Sequence, residues 1–134
     1  MITRILAMTL TVATAPALAQ ETPVTPTAPS GQDISLYDIA AQEGYEALIY
    51  HFRFLWPGIV DTDLEQAAPM IEADMAFFCN QVAIPRLAEA GAEAERVVIS
   101  FSDREVEFGV ATPEATQIFE SYVIHDTTCE WEPF

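Results

Sequence analysis

Two cysteines carry the chemistry that the sequence constrains best. Cys79 lies on the apolar stripe of a predicted helix, and Cys129 lies on the apolar face of a predicted last strand. The chain contains no CxxC motif, which would favour a redox pair. We therefore predict a structural disulfide between Cys79 and Cys129, with two free core thiols and a redox pair as the alternatives. The bond would close a loop of about 50 residues, and chain entropy alone gives it a value of roughly 4 kcal/mol.

The other residues that could do chemistry lack the companions that chemistry needs. His51 and His125 each stand alone, without the HxxxH or HxH spacing of metal ligands. Asp61, Asp63 and Glu65 offer oxygen ligands, but the twelve-residue calcium loop is missing and helix capping accounts for them. GxSxG and glycine-rich phosphate motifs are also missing. We predict no catalytic, cofactor-binding or metal-binding residues and a protein that is not an enzyme; a small hydrolase using acids or His51 is the third hypothesis.

Length and charge limit the classes of function. The chain has 134 residues, enough for one domain, with 5 Lys+Arg residues, all of them Arg, against 21 Asp+Glu, a net charge of −16. Phosphate groups repel such a chain, which argues against nucleic acids and anionic membrane surfaces as partners. A hydrophobic content of 51% excludes a chain that is disordered throughout.

The first 19 residues predict an export signal. Arg4 precedes an apolar stretch over residues 5–15, and Ala-Leu-Ala at residues 17–19 fits the small-x-small cleavage pattern. We expect cleavage after Ala19, a periplasmic or secreted protein and no stable membrane span, because a span needs about 20 apolar residues. An uncut anchor is the alternative. Loss of the signal leaves four Arg and 21 acidic residues, a charge of −17.

The start of the mature chain combines a tether with two strands. Residues 20–30 are rich in Pro and Thr and predict a disordered, mobile tether before a single domain over residues 31–134. Strands are predicted over residues 34–39 and 45–56. The even positions of the second strand form one apolar face: Leu48, Tyr50, Phe52, Phe54 and Trp56.

One main helix follows. Apolar residues recur at helical spacing from Leu64 to Val82 and form a single stripe. Pro69 predicts a kink or a late start, and Pro85 predicts the end of the helix. Residues 88–95 are expected to be a solvated connector.

The C-terminal part predicts further strands. Alternation over residues 97–102 and 106–110, with Asp103-Arg104 between them, favours a hairpin. Residues 116–125 suit a helix or a strand, with a strand favoured, and residues 129–132 form a last strand. These elements predict an α+β fold, an antiparallel sheet of about five strands with one main helix packed on one face.

Several short motifs carry a family resemblance. They are PSGQ at residues 29–32, HFRF at residues 51–54, the DM…FC…IPRL pattern at residues 74–87, and the run from Val97 to the C-terminus. Over residues 29–134 the chain resembles a family of short exported proteins of unknown function from marine alphaproteobacteria. The resemblance implies a shared fold and no activity. The acetolactate synthase name carried by some relatives does not suit this chain, because a thiamine-diphosphate enzyme needs a longer chain and a cofactor motif.

The sheet face opposite the helix is the candidate interaction face. It would carry His51, Arg53, Ser100, Glu105 and Glu107. If the strand over residues 45–56 lies near residues 105–110, His51 and Arg53 face Glu105 and Glu107 across the sheet, and ordinary cross-strand charge pairing is then the favoured explanation of this face. The first functional hypothesis is an interaction or accessory module that docks another exported protein there. The alternative is a small apolar ligand in a pocket that the aromatic residues line between helix and sheet.

Overall fold

The computed structural model describes residues 24–43 and 48–133, so the predicted signal peptide lies outside the described residues. The elements, in chain order, are β1 (Ser35–Glu43), β2 (Leu48–Leu55), a 3₁₀ turn (Pro57–Asp61), α1 (Ala68–Phe78), a π-helical turn (Cys79–Ala83), α2 (Ile84–Ala90), β3 (Arg96–Ser102), β4 (Gln117–His125) and β5 (Thr128–Trp131). The helical segments cover one face of the sheet, which confirms the predicted α+β fold.

The strands follow chain order across the sheet, β1-β2-β3-β4-β5. All neighbouring pairs are antiparallel except β2 and β3, which run parallel. α1 and α2 lie between these two strands in the chain, and a strand–helix–strand crossover returns the chain in the same direction. The expectation of a purely antiparallel sheet therefore needs one correction, at the β2–β3 pair.

The predicted hairpin over residues 97–110 is wrong. Its first half forms β3, but residues 105–110 form no strand. β3 is an interior strand whose two edges are occupied by β2 and β4, so no edge remains for residues 106–110. Residues 117–125 form the strand that pairs with β3 instead, which settles the ambiguity between helix and strand there.

The two prolines that the sequence places in the main helix, Pro69 and Pro85, both lie in the helical layer. Pro69 is the second residue of α1, which confirms the late start. Pro85 does not end the helix. In the π-helical turn the Ile84 N–H donates to the Cys79 carbonyl, five residues back. Pro85 then lies in the first turn of α2, where the lack of a backbone N–H removes no helical hydrogen bond within α2. α2 ends at Gly91, whose φ of 61° is the left-handed conformation of a helix C-cap.

Aromatic side chains fill the space between the helices and the sheet. Phe52, Phe54 and Phe101 are fully buried, and Phe78 of α1 stacks on Phe54 with ring centroids 4.5 Å apart. The Phe101 ring lies edge-on to Phe54 at 6.0 Å. These rings pack against one another, so they form a core and do not line a ligand pocket of the kind that the sequence suggested.

Part of the predicted tether packs against the domain. Ala28 is buried in the core, and the Ser30 N–H donates to the buried Asp74 carboxylate at 3.0 Å. The Thr25 hydroxyl oxygen accepts the Leu36 N–H at 2.9 Å. Over residues 24–30 the structure therefore differs from the expected mobile segment, because a buried acid on α1 holds the chain in place.

Candidate functional site

A disulfide between Cys79 and Cys129 joins the π-helical turn to β5, as predicted, with the Cα atoms 6.1 Å apart. A second link lies beside it. The side-chain oxygen of Asn80 accepts the Cys129 N–H at 2.9 Å, and its amide nitrogen donates to the Ala76 carbonyl at 2.9 Å. The edge strand β5 is thus fixed to the helical layer by a covalent bond and by one hydrogen bond, and the Ala76 contact orients the Asn80 amide that accepts it.

The opposite side of the sheet, called the open face here, carries a cleft of about 370 Å³. Its floor consists of His51 and Arg53 of β2 and Val98 and Ser100 of β3. Arg53 and Ser100 are direct neighbours across these two strands. Residues 103–116 cross above this floor as an irregular segment. We call the space the roofed cleft; its roof is residues 106–111 and its side wall is Gln117 and Phe119 of β4.

Arg53 ties the roof to the sheet. Its guanidinium lies 2.6 Å from the Asp38 carboxylate of β1 and donates to the Val106 carbonyl of the roof at 2.7 Å. The same group lies over the rings of Tyr37 and Phe108, at 5.1 and 5.5 Å from their centroids. Arg53 is only 7% exposed, so its guanidinium interacts with groups of the fold and presents little surface to a partner.

Glu105 and Glu107 do not pair with Arg53. Both are exposed, and only Glu107 lines the cleft. Two hydrogen bonds between Asp103 and Thr116 close the base of the roof. The Asp103 N–H donates to the Thr116 carbonyl at 3.1 Å, and the Thr116 N–H donates to the Asp103 carboxylate at 2.8 Å. The expectation that His51 and Arg53 face these two glutamates across neighbouring strands is therefore corrected.

His51 lies half-buried beside the roof. Its Nε2 is 2.8 Å from the Gln42 side-chain oxygen, and its ring contacts the edge of Phe108 at 4.8 Å. Burial, and then the charge of Arg53, lower the pKa of His51 below its ordinary value of 6.5. The imidazole is therefore neutral at pH 7, with Nε2 donating to the amide and Nδ1 left as an acceptor. It can accept a hydrogen bond from a ligand.

His125 is remote from this site in the sheet. It lies at the β4–β5 end, where its Nε2 is 3.2 Å from an oxygen of Glu130, and both side chains are exposed. Within residues 24–43 and 48–133 no group of three His, Cys, Asp or Glu side chains is placed to hold a metal ion. No helix in these ranges has the length and apolar character that crossing a bilayer requires.

Sequence reasoning missed the apolar part of the roofed cleft. Phe108, Val110 and Phe119 are exposed by 39%, 52% and 58%, and all three line the cleft. The sequence signal lies in β4, where Phe119 stands between Gln117 and Ser121 on the same face of the strand. Together with Phe108 and Val110, Phe119 forms a group of exposed apolar side chains around one cleft, which makes this surface a candidate contact site.

The fold and the cleft define an α+β protein with one disulfide, a helix-covered sheet and a candidate ligand site on the open face. The chain belongs to DUF6497, a family of unknown function, whose model matches residues 7–134. Neither the curated proteins nor the solved structures contain a match to it.

Proposed function

We propose that this chain is an exported, non-enzymatic binding protein that takes a small, mainly apolar ligand in the roofed cleft. One observation carries the proposal: a cleft of about 370 Å³, within the size range of ligand pockets, lies between an ordered sheet and an irregular roof. The predicted signal peptide supports export, and a disulfide is typical of an oxidising compartment. Mass spectrometry of the exported protein should give a chain that begins at Gln20; a retained Met1 would contradict export by cleavage.

The lining supports an apolar ligand with one hydrogen-bonding group. Val98 provides an apolar floor, and the exposed Phe119 provides an apolar wall. Ser100 and neutral His51 offer hydrogen bonds that could orient the ligand. Arg53 is already paired with Asp38, and the strongly acidic chain repels anions, so an anionic ligand is disfavoured.

Docking of another exported protein is the second candidate. The observation that favours it is the exposure of Phe119 and Val110 at the rim of the cleft, since exposed apolar side chains at one place mark contact surfaces. Charge reversal at Arg53 would not test this idea, because Arg53 holds the roof and its loss would disturb the fold. Phe119 is the better position for substitution.

A neutral apolar dye, N-phenyl-1-naphthylamine, tests the cleft. Its emission should rise and saturate on the wild-type protein. Ser100→Phe fills the cleft from its floor and should abolish the rise, and Phe119→Ser should weaken binding roughly tenfold, because it removes an apolar contact. Val60→Ser is the matched control: Val60 is exposed, lies in the 3₁₀ turn and does not line the cleft.

The outcomes separate the two candidates. If Ser100→Phe is folded by circular dichroism and still binds the dye as the wild type does, the roofed cleft is not the site. If the wild type does not bind the dye, the small-ligand proposal is wrong. Crosslinking in a periplasmic extract, compared between wild type and Phe119→Ser, then tests the docking of a protein partner.

A further inference from the structure

A second cleft, of about 230 Å³, lies on the helix side of the sheet, between α1 and the last two strands. It is lined by Glu72, Ala76, Tyr122 and Trp131, and we call it the Trp131 groove. Trp131 is 58% exposed, although an indole is a large apolar surface. The groove is on the other face of the sheet from the roofed cleft, so nothing in it depends on the proposed function.

The indole of Trp131 is held in a defined orientation. Its Nε1 donates to the Glu120 carboxylate at 2.7 Å, and Trp131 is the cross-strand neighbour of Tyr122. Two residues earlier on the same strand face, Cys129 is bonded to Cys79. A covalent bond therefore fixes the short strand that carries the ring, so the aromatic wall of the groove is formed before any ligand arrives.

Two carboxylates give the groove a negative potential. Glu72 lines the groove and Glu120 lies against the Trp131 indole, and in agreement with these positions burial, followed by the charges of Glu120 and Glu72, raises the pKa of the Tyr122 hydroxyl. Among the ion pairs of the described residues, none includes Glu72 or Glu120. The chain contains no Lys that could neutralise them.

An aromatic face beside carboxylates is the arrangement that recognises organic cations. We propose that the Trp131 groove binds an alkylated ammonium group, with the Trp131 ring as the contact surface and Glu72 and Glu120 as the counter-charges. A bare metal ion fits less well, because calcium requires six or more oxygen ligands and the described residues offer no group of three acids, histidines or cysteines for a metal ion. The small side chain of Ala76 leaves room for the methyl groups.

Choline and its uncharged isostere 3,3-dimethylbutan-1-ol test the role of charge. In NMR titrations of the isotope-labelled protein, choline should shift the indole N–H signal of Trp131 in a saturable way. The isostere should bind about fivefold more weakly or worse, the factor expected from loss of a cation–π contact. The indole of Trp56 is buried in the core and serves as the internal reference. Sodium chloride at equal ionic strength should produce no saturable shift.

Variants test the position of the site, with calorimetry as the readout where the Trp131 signal is lost. Trp131→Leu should abolish choline binding, and Trp131→Phe should retain part of it, because a ring remains. Glu72→Gln should lower the affinity several-fold. Glu89→Gln is the matched control, since it removes the same charge from α2 outside the groove and should leave the affinity within about twofold.

Three results would overturn the proposal. Equal binding of choline and its isostere would show that charge plays no part. Equal losses in Glu72→Gln and Glu89→Gln would show general attraction to an acidic protein. Unchanged choline binding in a folded Trp131→Leu variant would place the cation elsewhere.

Discussion

The two faces of the sheet are covered by different means. On the helix side, fully buried aromatic rings stack on one another, and a disulfide joins the covering layer to β5. On the open face the cover is an irregular segment, attached by Arg53 and by the Asp103–Thr116 pair, and apolar side chains remain exposed within it and beside it. Close packing stabilises the first face, and loose covering leaves space for a ligand on the second.

The largest expected effect is the loss of a core ring. Phe54→Ala should lower the free energy of unfolding by about 3–5 kcal/mol, because it removes a buried ring and leaves a cavity. Phe119→Ala on the open face should cost less than about 1 kcal/mol, since that ring is mostly exposed. Urea denaturation compares the two. Phe54→Leu should lower the free energy of unfolding less than Phe54→Ala does. It takes the place of the alanine variant in the comparison if that variant does not fold. Similar losses for Phe54→Ala and Phe119→Ala would mean that the two faces do not differ.

Removal of the disulfide is expected to have the next largest effect. A double Cys79→Ala, Cys129→Ala variant should lose up to about 4 kcal/mol of unfolding free energy, because the unfolded chain regains the entropy of a long loop. Thermal melting measures the loss, and the wild-type protein in a reducing agent should match the variant. An unchanged melting temperature in both would show that pairing with β4 and the Asn80 hydrogen bond hold β5 without help from the disulfide.

Loosening the roof should have a moderate effect. Arg53→Leu should destabilise the fold by about 2 kcal/mol, because it removes a charged hydrogen bond to the Val106 carbonyl and the ion pair with Asp38. A Glu-specific protease should then cut faster at Glu105 in the opened roof. Arg86→Leu on α2 is the control and should change neither quantity. Unchanged proteolysis in Arg53→Leu would show that Arg53 does not hold the roof.

The smallest expected effect is that of pH at His51. Its pKa in the folded protein is below the ordinary value of 6.5, so the unfolded chain takes up its proton first as the pH falls. The contribution of His51 to stability is therefore complete above pH 6.5 and is lost as the pH falls through the lower, folded pKa. Urea denaturation between pH 7 and pH 5 should show a steeper loss in the wild type than in His51→Gln. Equal slopes would mean that burial and the charge of Arg53 do not lower the pKa of the imidazole.

Local patterns in the sequence determined the helix side of the molecule. Period-two alternation placed Phe52 and Phe54 on one face of β2, with Trp56 directly after the strand, and helical spacing placed Cys79 on the stripe that packs against this face. Cys129 follows from the same alternation in β5, so the disulfide could be predicted without coordinates. Burial of apolar surface depends on these short-range periods, which is why this part could be read from the chain.

Long-range pairing was decided only by the tertiary structure. The pattern of residues 105–110 is that of a strand, yet both edges of β3 are filled by β2 and β4, and the segment became a roof. Likewise the expected docking residue Arg53 is used within the fold, because the β1–β2 register places Asp38 opposite it and the roof brings the Val106 carbonyl to its guanidinium. The parallel β2–β3 pair was within reach of the sequence, since a helix between two strands favours a parallel crossover. Alternation assigns side chains to faces but does not specify which strand edges are free, because edges are filled by partners distant in the chain.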